Sequence, residues 1–177
     1  MYMDKKMDSG DIISQEEVII SDDDNLESLH DKLSIVGKDL LIKTLPSIIN
    51  GTNERIKQNE EEVTYAFNIK REEEHINFNK TSREIFNHIR GLSPIPGANV
   101  IIDGDEMKVY ASYISQRSFK DKKIGEISNL YKDGIGVVTL DGEIVFTDIK
   151  PFGKKRMSAV SYINGVKNKD MIGKVLE

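Results

Sequence analysis

The chain has 177 residues, of which 38% are hydrophobic and 31% charged, with 13 Gly, 4 Pro and no Cys. That composition excludes a disordered or fibrous chain, a disulfide framework and a thiolate metal site, and it is compatible with the cytoplasm. The longest apolar runs are far too short to span a membrane, and Asp4 and Lys5 break the apolar start that a signal peptide needs. The net charge of −5 is unevenly spread: residues 1–76 hold 9 Lys+Arg against 18 Asp+Glu, and residues 77–177 hold 16 against 12. An acidic first part and a basic second part point to two modules, with any polyanionic partner touching the second.

Met1-Tyr2-Met3-Asp4 reads as the tail of a strand and Met7-Asp8-Ser9-Gly10-Asp11 as a turn. Residues 12–20 read as a further strand, with Ile13, Val18, Ile19 and Ile20 as its apolar content. Ser21-Asp22-Asp23-Asp24-Asn25 then starts a helix, and Asp24 with Glu27 approximates a capping box. Leu26, Leu29, Leu33, Val36 and Leu40 follow at spacings 3, 4, 3, 4, which is one helical face. Pro46 removes a backbone donor, so a kink or restart is expected near Leu45, and Asn50-Gly51 ends the helix. Residues 52–75 are too polar for a core of their own and read as a linker, with a short extended piece at Val63-Thr64-Tyr65-Ala66.

The second module opens at Ile76-Asn77-Phe78-Asn79. Thr81 and Glu84 form a capping-box pattern, Ile85, Phe86 and Ile89 give a short helix its buried face, and Gly91 stops it. Ser93-Pro94-Ile95-Pro96-Gly97 is a stiff turn. Five strands are expected, at 98–103, 106–114, 125–131, 135–140 and 143–149, with Asp141-Gly142 as a type I′ hairpin signal. Ser158 can cap a last helix with Val160 and Ile163 facing in, and residues 171–176 can close the sheet. The fold class expected is α+β, with the second module a five-stranded, OB-like barrel flanked by helices.

The chemistry-bearing stretch is Lys150-Pro151-Phe152-Gly153-Lys154-Lys155-Arg156-Met157-Ser158-Ala159. Lys154, Lys155 and Arg156 can grip a polyphosphate backbone, each replacing a condensed counterion, and a solvated basic turn is the plain alternative. Arg90, near a helix end, can meet a phosphate or complement the helix dipole. Lys108, Arg117, Lys120, Lys122 and Lys123 form a looser basic set. Tyr110, Tyr113, Tyr131 and Phe146 can stack on bases, although strand alternation favours core packing for most of them. The sequence carries no Gly-rich phosphate loop, no metal-ligand cluster and no Ser-His-Asp order, so no metal is expected.

Three stretches resemble one family. Ile89-Arg90-Gly91-Leu92-Ser93-Pro94-Ile95-Pro96-Gly97-Ala98 is similar to the segment opening the C-terminal barrel of the methionyl-tRNA formyltransferases. Gly153-Lys154-Lys155-Arg156-Met157-Ser158-Ala159 resembles that family's closing basic motif, and Asp8-Ser9-Gly10-Asp11 resembles a turn near the end of its catalytic domain. The resemblance implies transfer of the formyl group of 10-formyltetrahydrofolate to the amino group of initiator methionyl-tRNA, by a cytoplasmic enzyme that is a monomer. It implies that residues 1–52 end a catalytic domain, that 53–75 are a linker and that 76–177 form an OB-like tRNA-binding domain. It makes Asp8 the Asp of an Asn, His and Asp catalytic trio, while His30, His75 and His88 match nothing in that trio. It makes Lys154, Lys155, Arg156, Arg90 and Lys108 the tRNA contacts. The chain would then be an N-terminally truncated part of such an enzyme, with the folate site mostly outside it, and inactive alone. The family commonly has Trp where Phe78 and Ile95 stand here. A related sugar-nucleotide formyltransferase or folate dehydrogenase, and a stand-alone OB-type nucleic-acid binding module, are the competing readings.

Overall fold

The computed structural model describes residues 1–165 and 170–177. They fall into two compact units, Met1–Asn68 and Ile69–Glu177.

The first unit is built on one helix, α1 (Leu26–Ile49). Asn25 is its N-cap: its side chain accepts from Ser28 N–H at 2.9 Å, and Asn25 N–H donates to the Ser28 hydroxyl at 3.1 Å. The capping box expected from Asp24 and Glu27 is thus shifted by one residue. Asp24 turns back instead, accepting from the Ser21 N–H at 2.8 Å and pairing with Lys32 at 2.7 Å. The Lys32 ammonium, followed by the Ser21 N–H, holds the Asp24 carboxyl well below the usual carboxylate range. α1 runs through Pro46 to Ile49 without a restart and ends at Asn50 as expected. Proline removes only one ladder donor, and this one falls in the last turn, where Pro46 C=O still accepts from Asn50 N–H at 3.0 Å.

The strands expected at 1–4 and 12–20 do not form. Ile12 alone is bridged, by paired backbone hydrogen bonds to Ile56 of 2.8 and 2.9 Å. A strand is stabilised by its ladder, and alternation without a partner leaves an extended segment. The apolar stripe of α1 is partly covered: Leu29, Val36 and Leu40 are half-buried, Leu26 and Leu33 are exposed, and no residue of the helix is fully buried. In the stretch 52–75 the regular elements are two 3-10 turns, Glu60–Glu62 and Arg71–Glu74, and Val63 to Ala66 form no strand.

The second unit holds the core. α2 (Ser82–Leu92) begins at the expected Thr81–Glu84 capping box, with Thr81 N–H donating to Glu84 Oε2 at 2.9 Å. Gly91 does not stop it; the helix ends at Leu92 with Ser93 as its cap. Its buried Ile85, Ile89 and Leu92 recur at spacings that fill one face. Two cis Xaa-Pro bonds, at Pro94 and Pro96, shape the turn that follows.

Six antiparallel strands make one sheet: β1 (Ala98–Ile102), β2 (Asp105–Ser115), β3 (Ile127–Leu130), β4 (Ile135–Val138), β5 (Glu143–Pro151) and β6 (Met157–Ser158). The order is β1-β2-β5-β4-β3, with β6 on β5. The tight turn with left-handed residues lies between β1 and β2, at Asp103 (φ +53°) and Gly104 (φ +86°). Asp141-Gly142, where a type I′ turn was expected, has no positive φ. There the Asp141 carboxylate accepts from Ser82 N–H at 2.7 Å, which ties the β4–β5 turn to the start of α2.

Alternating residues from these strands, including Val100, Met107, Val109, Ile135, Val137, Ile144, Phe146 and Ile149, pack with α2 and Ala159 in a single hydrophobic cluster. The last helix, α3 (Ala159–Gly165), is capped as expected, Ser158 Oγ accepting from Ser161 N–H at 3.1 Å. β1 and β3 are the edges of the sheet and do not pair with each other, so the expected closure of five strands into a barrel is not formed by those strands. Residues 173–177 hydrogen-bond to both edges. Ile101 N–H donates to Glu177 C=O at 2.6 Å, and Ile127 N–H donates to Lys174 C=O at 2.7 Å.

Candidate nucleic-acid interface

The basic turn sits between β5 and β6, and the pairing of these strands decides its shape. Asp148 pairs with Ser158 and Ile149 with Met157, so the chain must reverse over residues 152–156. Gly153 provides the left-handed residue (φ +67°) for that reversal. Lys154, Lys155 and Arg156 are all exposed there.

Arg156 is held by Asp148 and by Tyr110. Its Nε and Nη2 donate to the Asp148 carboxylate at 3.0 and 2.8 Å, and its guanidinium lies 4.3 Å from the centroid of the Tyr110 ring. Lys154 sits 5.2 Å from the Tyr162 ring of α3. Among the described residues Lys155 makes no such contact. Tyr110 owes its position to a register shift: β2 and β5 pair in step up to Val109↔Ile149, slip, and resume at Ala111↔Asp148. The slip leaves Tyr110 outside the ladder, as bulges commonly do when they re-aim a side chain. Gly97 clears space beside it, since a Cβ there would stand 2.8 Å from the Tyr110 ring.

The other predicted contacts lie elsewhere. Arg90 is half-buried on α2, its Nε donating to Asn87 Oδ1 at 2.9 Å and its guanidinium 5.5 Å from the Phe86 ring. Lys108 turns inward: its ammonium donates to Glu74 Oε2 at 3.3 Å and to the Pro96 carbonyl. Arg71 pairs with the same Glu74 and with Glu106. Burial pushes the Glu74 carboxyl up, but Arg71 and Lys108 outweigh it and hold it below the usual carboxylate range. In the loop 115–124, Lys122 pairs with Glu126 at 2.5 Å and Arg117 lies over Tyr131 at 5.1 Å.

Of the aromatics, Phe146 is fully buried in the core. Tyr131 bonds the buried Glu143 at 3.0 Å, and Tyr113 bonds Asp133 at 3.1 Å. Burial, then the Asp133 carboxylate, push the Tyr113 phenol up to about 12. Two contributors escaped the sequence reading, Asp148 and Tyr162. The first was findable, because a tight reversal pairs the strands it joins and brings diagonal neighbours such as Asp148 and Arg156 within reach. The second required knowing how α3 packs.

In the first unit Asp8 is exposed in a left-handed conformation (φ +57°). Its backbone carbonyl, with that of Gly10, accepts from Gln58 Nε2 at 2.9 and 2.7 Å. The turn is further held by Tyr2 N–H donating to Asp11 C=O at 2.9 Å and by the Arg55–Asp11 pair at 3.0 Å. Among the described residues no group bonds the Asp8 carboxylate, and no cluster of three or more His, Asp or Glu could hold a metal. Two clefts, of about 370 and 280 Å³, both lie in the second unit; the larger is bordered by Phe152, Lys154 and Tyr162. Among the described residues no helix is long and apolar enough to cross a membrane.

The sheet, α2 and the basic turn are those of a formyltransferase C-terminal domain: the family model described as "Formyl transferase, C-terminal domain" matches residues 68–167, and the chain belongs to that family. Curated relatives carry the name methionyl-tRNA formyltransferase. That of Macrococcus caseolyticus is 46% identical over 95% of this chain and 53% of its own length. That of Staphylococcus aureus strain MW2 is 46% identical over 99% of this chain and 56% of its own. The chain thus spans about half the length of the curated relatives it matches. Among solved structures, an N-formyltransferase from Helicobacter canadensis, in complex with folinic acid and dTDP-3-aminofucose, is 26% identical with a TM-score of 0.62, over 85% of this chain and 53% of that one. HypX from Aquifex aeolicus aligns with a TM-score of 0.67 at 14% identity, over 92% of this chain and 30% of that one, which is a likeness of fold.

Proposed function

We propose that this chain is part of a methionyl-tRNA formyltransferase, in which it serves the transfer of the formyl group of 10-formyltetrahydrofolate to initiator methionyl-tRNA at the start of protein synthesis. The observation that carries this reading is the 46% identity to enzymes of that name, sustained along 95–99% of the chain. The sugar-modifying alternative rests on a more distant likeness, 26% identity to the Helicobacter canadensis enzyme. In the same reading the enzyme works as a monomer in the cytoplasm.

Within that reading the second unit grips the tRNA. The contacts fall on Lys154, Lys155 and Arg156, with Arg90 as a further cation. Lys108, its ammonium already engaged by Glu74 and a carbonyl, serves by fixing the Pro96–Gly97 turn. The second unit is read as OB-like, with residues 173–177 bridging β1 and β3 where those strands do not meet. The divisions 1–52, 53–75 and 76–177 are read as the end of a catalytic domain, a linker and the tRNA-binding domain.

Formyl transfer requires a deprotonated amine and stabilisation of the oxyanion that develops at the tetrahedral centre. Asp8 is the carboxylate that this chain offers, and a carboxylate can orient a base or relay a proton. Neither cleft includes Asp8, and the folate donor's site is read as lying mostly outside this chain.

The test is binding of the chain to initiator methionyl-tRNA over a salt series, beside the Lys154→Ala/Lys155→Ala/Arg156→Ala variant. Each lost phosphate contact should flatten the slope of log K against log salt by about 0.7 to 0.9. The variant should therefore lose about two units of slope or more. A variant with the wild-type slope would remove the basic turn from the interface.

A further inference from the structure

The two outer cations of the basic turn rest on side chains that belong to other elements. Tyr110 comes from the slipped register of β2, Asp148 from β5 and Tyr162 from α3. We infer that Tyr110, Asp148 and Tyr162 are positioning residues for the basic turn, setting Arg156 and Lys154 in place before a polyanion arrives. This inference rests on the reading of that turn as a tRNA contact.

Three observations carry it, set against a general cost of binding. Exposed Lys and Arg side chains sample many rotamers, and binding must freeze them. Here Arg156 is fixed through two donors on one carboxylate, at 3.0 and 2.8 Å, and through a ring at 4.3 Å. A planar guanidinium held along one edge and over one face has its plane set, which is the geometry that recognition of a planar or tetrahedral anion uses. Tyr110 stands where it does because the ladder slips there and because Gly97 has no side chain, so its placement is built into the fold. The ring face covered by Arg156 is also unavailable to a nucleobase, which sets Tyr110 apart from the stacking platforms of single-strand binders.

Neutral ring variants give the cleanest test, because removing Asp148 would also change the field at the turn. Binding of labelled initiator tRNA is measured for Tyr110→Leu, Tyr110→Phe, Tyr162→Leu, Tyr162→Phe, Arg156→Ala, Lys154→Ala and the Tyr110→Leu/Arg156→Ala double variant. Urea midpoints serve as the check on folding. Each Leu variant should bind about 3- to 10-fold more weakly, and each Phe variant, which keeps the ring, should bind as the wild type does. Tyr110→Leu should add nothing once Arg156 is gone. Tyr110→Leu binding like the wild type while Arg156→Ala is impaired would overturn the inference. So would an equal loss in both backgrounds, which would make Tyr110 itself a contact. If Arg156→Ala and Lys154→Ala both bind like the wild type, the basic turn is not the tRNA site, and positioning falls with that reading.

Discussion

Asp141 shows how one side chain can join two elements. The Ser82 N–H, foremost among its contacts, holds the Asp141 carboxyl below its ordinary value against the opposing push of burial. Its value in the folded chain therefore lies below that in the unfolded chain. The stability it brings is present above the ordinary carboxylate range and is lost as pH falls through the lower, folded value. Asp141→Ala should cost about 1 kcal/mol at neutral pH, as loss of an N-terminal helix partner does. Urea midpoints at pH 7 and pH 3 check this, and the gap between variant and wild type should narrow at the lower pH. At this scale the sequence was a partial guide. It named Lys154, Lys155 and Arg156 from their charge, but charge does not reveal a partner. Lys108 carries the same charge and differs because Glu74 and the Pro96 carbonyl lie within its reach.

The elements of the second unit were legible because local signals and long-range packing agree there. The Thr81–Glu84 box, the spacing of Ile85 and Ile89, and the alternation of Met107 and Val109 all point to the same core. Ile89→Ala, which empties a fully buried site, should lower stability by about 3 kcal/mol by urea denaturation, and should leave the exposed basic turn intact. Turn chemistry was less legible. Asp-Gly occurs between β4 and β5 and left-handed geometry does not, because Asp141 is committed to α2; the left-handed pair sits at Asp103-Gly104 instead. The helix cap was misplaced by one residue because Asp24 and Asn25 are both good capping residues, and Lys32 drew Asp24 away. The slip at Tyr110 has no signal in the residues around it.

Across the whole molecule, legibility follows long-range pairing. Strands were expected at 12–20 from composition alone, but a strand exists only with a neighbour, and a backbone bridge to Ile56 is all that forms. The periodicity of α1 was read correctly as a helix, while its apolar stripe is only half-buried at Leu29, Val36 and Leu40. In the second unit the expected closing segment at 171–176 does meet the sheet, through one isolated bridge, Glu126 to Val175, and flanking backbone hydrogen bonds, and not as a strand.

That segment has a consequence for how the molecule keeps to itself. Unpaired edges of a sheet are templates for another chain's strands. Glu177 exchanges hydrogen bonds with Ile101 on one edge, and Gly125 C=O accepts from Leu176 N–H at 2.9 Å on the other. A few residues thus guard both edges against self-templating. Removing residues 173–177 should turn a well-behaved sheet into one that associates as concentration rises. Light scattering of the shortened chain beside the full one would register it, with the shortened chain scattering more at equal mass.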